Sequence, residues 1–299
     1  MTNQPLSAWD SFWRYDRLSS FHAAPGAPNY GPPIADGWSA FFAKLPDGAR
    51  VLDLCTGNGA IAVMAVAADK GFAVTGADLA DVRPTAFVTR NLDELKQVEF
   101  LAGTPAEHLP LDDRSVDAVI SQYGIEYSDL DRSILEAVRV LAPCGGLRFA
   151  MHAAEGSVAR DTRLAITDAD FLIDLGLNYL ATHCGEGPSA LAAFNAALKA
   201  IADRAPTATD QAMLANVHRT LCNTYDHRRL ELPDTANHLD AEIRAHRDRQ
   251  SALLNAAQSL DDMHRLSDRL TQLGMTATTH GEQRDGTDLI GHVIEAAKP

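Results

Sequence analysis

Val51-Leu52-Asp53-Leu54-Cys55-Thr56-Gly57-Asn58-Gly59 is a short apolar run that breaks into a glycine turn. An alanine-rich stretch at 60–70 follows it and reads as a helix stopped by Gly71. Glycines at such a strand-to-helix turn let the backbone approach a ligand closely and take up turn geometry without a Cβ clash. The next apolar run, 72–77, ends at Asp78. A carboxylate there can accept hydrogen bonds from both hydroxyls of a ribose, so a nucleotide-type ligand is expected beyond the carboxyl ends of the strands. The spacing Gly57-x-Gly59-x-x-Ala62 also fits a dinucleotide fingerprint, so the turn by itself leaves the cofactor open.

Working outward, strands are expected at 98–101, 116–121 and 147–151. Asp131 is expected to cap a helix that buries Ile134, Leu135, Val138 and Leu141 and ends at Pro143-Cys144-Gly145-Gly146. Strands alternating with helices imply an α/β fold, a doubly wound and mostly parallel sheet with helices on both faces. From 155 to 258 the alternation stops, and helices are expected at 167–181, 189–202, 209–225 and 237–257. Ser259-Leu260-Asp261-Asp262 has the form of a capping box. It opens a helix with Leu260, Met263, Leu266 and Leu270 on one side, ending at Gly274. Segments 276–282 and 289–296 read as two last strands, antiparallel at a sheet edge. At the other end, Trp9, Phe12, Trp13 and Tyr15 fit a short helix. Prolines and glycines make 22–33 irregular. Trp38, Phe41, Phe42 and Leu45 resume helical spacing. The expected organisation is a helical cap at 1–48, a ligand-binding domain at 49–154 and 259–299, and a helical insertion at 155–258. The insertion is either a lid over the site or a dimerisation surface.

The chain has 299 residues, 40 acidic and 26 basic, for a net charge of −14. That balance argues against nucleic acid or an anionic membrane as a partner. The densest basic stretches, His227-Arg228-Arg229 and 244–249, are interleaved with acids and read as solvated helix faces. Hydrophobic residues make up 46%, enough for a sizeable core. No apolar run approaches the ~20 residues that span a bilayer, and the first residues have no signal-peptide pattern. Cys55, Cys144, Cys184 and Cys222 form no CxxC pair and no zinc spacing, so reduced thiols and a cytoplasmic setting are expected.

Four segments in order carry a family resemblance. The 51–59 turn, with its preceding acid, resembles motif I of the class I S-adenosylmethionine-dependent methyltransferases. Ala106-Glu107-His108-Leu109-Pro110-Leu111-Asp112-Asp113-Arg114-Ser115-Val116-Asp117 resembles that family's stretch before the fourth strand. Ser121-Gln122-Tyr123-Gly124-Ile125-Glu126-Tyr127 falls at its active-site loop. Arg139-Val140-Leu141-Ala142-Pro143-Cys144-Gly145-Gly146 is similar to its turn before the fifth strand. The likeness covers about 49–153 and the final strands. Cys55-Thr56 and Pro105 depart from the common pattern, Pro105 standing where many relatives have an aspartate that binds adenine.

The resemblance implies a seven-stranded sheet binding S-adenosyl-L-methionine and releasing S-adenosyl-L-homocysteine. Asp53 and the backbone of Gly57 and Gly59 would face the methionine end, Asp78 the ribose, and Leu79 the adenine. Cys55 and Asn58 in the turn, Thr104, Pro105, Ala106 and Glu107 after the third strand, and Ser121 and Gln122 at the end of the fourth would complete the cofactor's contacts. Tyr30 would close over it. On the acceptor side, Tyr123 or Tyr127 would position a small, partly apolar molecule, and Glu126 or His152 would take its proton. No metal is expected, because Ser121-Gln122 stand where metal-dependent relatives place acidic ligands. The alternatives are a same-fold enzyme with non-methylating chemistry, a non-catalytic partner protein, and a nicotinamide oxidoreductase that would bind NADH.

Overall fold

Successive strand side chains point to opposite faces, and that alternation builds the core. The computed structural model describes residues 8–20 and 29–299. In it, β1 (Arg50–Leu54) sends Val51 into one apolar layer and Leu52 and Leu54 into the other. The remaining strands are β2 (Ala73–Asp78), β3 (Val98–Ala102), β4 (Val116–Gln122), β5 (Leu141–His152), β6 (Thr276–Asp285) and β7 (Asp288–Ala297). They form a seven-stranded sheet in the order β3-β2-β1-β4-β5-β7-β6. Strands β1 to β5 are parallel, and β7 runs antiparallel to both neighbours. The order reverses between β1 and β4, the place where open α/β sheets bind ligands.

One face carries α2 (Ile34–Lys44) and α3 (Ala60–Val66), and the other α6 (Leu130–Val140) and α12 (Leu260–Gln272). The N-terminal helical region is more than a cap. Trp38, Phe41 and Phe42 of α2 are buried among Val51, Ile61 and Ile120 and are part of the core itself. The segment 21–28, which includes much of the Pro/Gly stretch, lies outside the described residues. A short helix, α1 (Ala8–Phe12), precedes it. After β2 there are only two single turns, α4 (Pro84–Phe87) and α5 (Leu92–Leu95), with Pro84 at the first helical position.

Some local expectations need correction. The helix after the glycine turn ends at Val66, short of 70. Asp129, not Asp131, caps α6, because its side chain accepts the Arg132 N–H. The buried stripe of α6 therefore runs through Ile134, Ala137 and Val138, and Leu135 is exposed. Leu260 of α12 is likewise exposed, while Met263, Leu266 and Leu270 are buried. Leu141 already belongs to β5, which pairs with β4 across a register shift between Val116 and Ala118.

The chain divides into two compact units, 1–158 with 256–299, and 159–255. The second unit is helical. Its elements are α7 (Ser157–Asp174), which begins just before it, α8 (Leu177–His183), α9 (Pro188–Arg204), α10 (Gln211–His227) and α11 (Leu232–Ala256). The expected helix at 167–181 is thus two helices, parted at the left-handed Gly176. Phe194, Ile201, Leu214 and Leu221 pack the unit's own core. The buried Asp168 carboxylate accepts from the Arg204 guanidinium at 2.7 Å and from the backbone N–H groups of Thr209 and Asp210. In the first unit the outgoing and returning chain are joined. Gln258 N–H donates to His152 O at 2.7 Å, and Ala154 N–H donates to Gln258 O at 2.9 Å.

Asp129→Ala should lower stability by about 1 kcal/mol through loss of the cap, whereas Asp131→Ala should change it by less than ~0.5 kcal/mol. Urea midpoints at unchanged m-value would check both.

Candidate functional site

The turn after β1 is left-handed at Cys55 (φ 55°), Gly57 (φ 54°) and Gly59 (φ 84°). Only Cys55 carries a side chain there, and a residue other than glycine holds that region at a conformational cost of roughly 1–2 kcal/mol. Gly124 accommodates it: a Cβ on Gly124 would collide with the Cβ of Cys55. Cys55 and Gly124 are thus a fitted pair across the ends of β1 and β4.

Asp78 ends β2 beside this turn. One carboxylate oxygen accepts the Gly57 N–H and the other the Ala80 N–H, both at 2.8 Å. Asp53 is buried and accepts the Thr56 hydroxyl at 2.6 Å. Glu126, in the turn after β4, is also buried. Its Oε1 accepts the His152 N–H at 3.0 Å, and its Oε2 is buried without a hydrogen-bond partner. Burial pushes the carboxyl of Asp53 up to about 7, that of Asp78 to about 6 and that of Glu126 to about 7. Three acids with raised pKa values at the carboxyl end of a parallel sheet mark a site suited to positive charge.

Aromatic rings make the rest of the wall. Tyr123 (φ 55°) stacks on His152 with centroids 4.4 Å apart and planes 10° from parallel. Tyr127 meets Trp9 edge-on at 5.3 Å and His152 at 6.2 Å. Tyr30 is buried, its hydroxyl bonded to Ser20 N–H and Ser20 Oγ, and burial raises it to about 12. Residues 8–20 form a strap across the glycine turn. Asn58 Nδ2 donates to the carbonyls of Trp13 and Arg17. Asp10 accepts Asp81 N–H, and Asp16 accepts from Thr89. The Trp13 indole lies so close over Gly57 that a Cβ there would come within 2.5 Å of it. Beneath the strap is a cavity of about 30 Å³ whose lining includes Trp13, Tyr30, Asp53, Cys55, Gln122 and Tyr123. That volume holds a water or two, not a nucleoside.

The fold therefore gathers Tyr30, Asp53, Cys55, Gln122 and Tyr123 on one cavity. Glu126, Tyr127 and His152 stand behind it, and Asp78 is joined to the turn through Gly57. Other expected contacts are engaged elsewhere. Gly59 N–H donates to Thr56 O, and Gly59 packs against Phe100 rather than facing the cavity. Ser121 Oγ stitches Leu54 O to Ile125 N–H. Glu107 accepts Asp129 N–H at 2.7 Å. Leu79 is 70% exposed at the outer rim. Thr104 N–H donates to Asp78 O, and Pro105 and Ala106 follow it toward the core. Trp13 over the turn, Gly124 and Gln283 are the contributors that sequence reasoning did not assign to the site. Only the aromatic density of the first residues pointed toward one of them.

Residues 51–145 match the model of the family described as methyltransferase domain. Over this segment the chain is similar to a methyltransferase domain. An uncharacterized methyltransferase of Mycobacterium tuberculosis is 39% identical to the chain over 161 residues, 50% of this chain and 57% of that protein. A demethylmenaquinone methyltransferase of Thermus thermophilus is 38% identical over 101 residues, 33% of this chain and 44% of that protein. The chain thus spans only about half the length of these relatives. A solved S-adenosylmethionine-dependent methyltransferase of Aquifex aeolicus aligns over 89% of both chains at 13% identity and a TM-score of 0.45.

Asp78 beside the glycine turn, Asp53 below it and the unpartnered Glu126 Oε2 are acceptors that fit the hydroxyl and ammonium donors of an adenosyl cofactor. Among the described residues, no group of three or more His, Cys, Asp or Glu could hold a metal ion. No described helix is long and apolar enough to cross a membrane.

The raised carboxyls make stability pH-dependent. Between about pH 4 and 7 the folded chain keeps protons that the unfolded chain has released, so stability should fall as pH rises through that window. Thermal midpoints from pH 5 to 8 would check the sign, and Glu126→Gln should flatten the slope. Separately, Cys55→Gly should stabilise by up to ~1 kcal/mol, and Cys55→Val should destabilise.

Proposed function

We propose that this protein transfers the methyl group of S-adenosylmethionine to a small, partly apolar acceptor. The observation that carries the reading is the set of three carboxyls with raised pKa values, Asp53, Asp78 and Glu126, at the carboxyl ends of the strands beside the sheet's switch point. When bound, the cofactor supplies a sulfonium methyl with a good thioether leaving group, so alignment is the protein's main task.

Asp78 would hold the ribose hydroxyls, and Asp53 with the turn at Gly57 the methionine end. Tyr30 would close over it, and Leu79, with Thr104, Pro105 and Ala106, would line the adenine side. Tyr123 and Tyr127 would orient the acceptor. Glu126 would be its base, because a carboxylate raised to about 7 is matched to proton transfer near neutral pH. His152 supports the wall by its stack on Tyr123 and by the N–H it gives Glu126.

Aromatic surfaces at Trp9, Tyr123 and Tyr127 favour a partly apolar acceptor, and the net charge of −14 disfavours nucleic acid. The same reading makes the helical insertion a lid and the setting cytoplasmic, in keeping with free cysteines at all four positions. Because the Trp13 indole covers Gly57, the strap must lift before a nucleoside-sized ligand can sit on the turn.

Calorimetric titration with S-adenosylmethionine, S-adenosylhomocysteine and NADH tests the reading. Binding of both adenosyl compounds and none of NADH is expected. Asp78→Ala should weaken that binding by ~1.5–3 kcal/mol, through loss of a charged hydrogen-bond acceptor. Folded protein that takes up neither adenosyl compound would refute the proposal. Trp13→Ala should speed association of S-adenosylhomocysteine, by up to ~10-fold where the open form is a ~10% minority. Stopped-flow fluorescence would read the rate.

A further inference from the structure

We infer that Gln283 and Gly291, on the C-terminal hairpin, are positioning residues that set Tyr123 in the wall of the site. The inference deepens the methyl-transfer reading and rests on it. It begins at Trp38, whose indole N–H can only donate. That N–H meets Gln122 Oε1 at 2.6 Å, which fixes how the Gln122 amide is turned. Gln122 Nε2 must then face Gln283, and it donates to Gln283 Oε1 at 3.1 Å. Gln283 is thereby obliged to present its oxygen, and the Tyr123 hydroxyl donates to that same oxygen. One donor-only group on α2 thus dictates the polarity of a buried chain that ends at Tyr123. All four residues are buried.

The hairpin is shaped for this contact. The β6–β7 register shifts between Gln283 and Arg284, the kind of irregularity that re-aims a side chain near a site. Opposite it, a Cβ on Gly291 would come within 2.7 Å of the Met151 carbonyl oxygen, 2.9 Å of Tyr123 Cε1 and 3.0 Å of the Tyr123 oxygen. Glycine at 291 leaves room for both the β5 backbone and the Tyr123 ring. Tyr123 itself sits at φ 55°, where residues other than glycine rarely settle unless their surroundings hold them. The stack on His152 from one side and the Gln283 oxygen at the tip supply that hold. Gln122 and Tyr123 both line the cavity, and through them the hairpin bears on the site.

Fluorine NMR on protein containing 3-fluorotyrosine tests this directly. The chain has six tyrosines, and loss of one resonance in Tyr123→Phe assigns Tyr123. Gln283→Met removes the acceptor at similar length, and Gln283→Glu keeps an acceptor oxygen. The Tyr123 resonance should move and broaden in Gln283→Met and return toward its native position in Gln283→Glu. The other five should stay in place. Addition of S-adenosylhomocysteine should shift the Tyr123 resonance in the native protein and in Gln283→Glu, and shift it much less in Gln283→Met. Should Gln283→Met fail to fold, Gly291→Ala serves as the second probe and should displace the same resonance. A Tyr123 resonance unmoved in a folded Gln283→Met or Gly291→Ala variant would overturn the inference. Calorimetry of S-adenosylhomocysteine on the native protein reports separately on the cofactor reading, so the two failures are distinguishable.

Discussion

Asp53 and Glu126 are buried and Asp78 half-buried at one end of the sheet, and much of the local architecture answers to that desolvation. A buried carboxylate needs donors. Asp78 draws the Gly57 and Ala80 amides toward it and so sets both the glycine turn and the exit of β2. Asp53 draws the Thr56 hydroxyl, and Glu126 the His152 amide at the end of β5. Three loops from three strands are therefore shaped around carboxyl groups whose ionisation desolvation disfavours. A ligand bearing positive charge would complete their ionisation, so the same desolvation that raises these groups favours a cationic occupant.

The parts of this arrangement that depend on near neighbours were legible in the sequence. The β1 turn, Asp78, the alternation of strands and helices and the capping box of α12 are all local patterns, and the structure places them where the patterns lie. The N-cap of α6 was misjudged because two aspartates stand two residues apart, and only the backbone at Asp129 decides which side chain meets a free N–H. Trp38, Phe41 and Phe42 look like a cap in the sequence because their partners, Val51, Ile61 and Ile120, come from later segments. Cys55 and Gly124 look unremarkable until the ends of β1 and β4 are brought side by side. Gln283 had no signal at all. Its importance arises from β7 running antiparallel beside β5, a pairing across more than a hundred residues.

The sheet's hand-over from parallel to antiparallel strands has a structural effect of its own. With β7 reversed, the β6–β7 turn lies at the same end of the sheet as the site-forming ends of β4 and β5. A reversed edge strand thus lets a late hairpin buttress, through Gln122 and Tyr123, a wall built by the first half of the chain. It also ties α2 to that hairpin through Trp38, Gln122 and Gln283, joining the N-terminal and C-terminal segments by a single buried polar chain.

Backbone hydrogen bonds between 152–154 and Gln258 clasp the two ends of the excursion that contains the helical unit. Closing a loop depends only weakly on its length, each doubling adding about 0.6 kcal/mol. The junction's geometry, rather than the size of what hangs from it, therefore sets what the sheet can tolerate there. The clasp makes this position a graft point. Sequences of very different length could stand in place of 159–255, leaving the glycine turn and its carboxylates as they are.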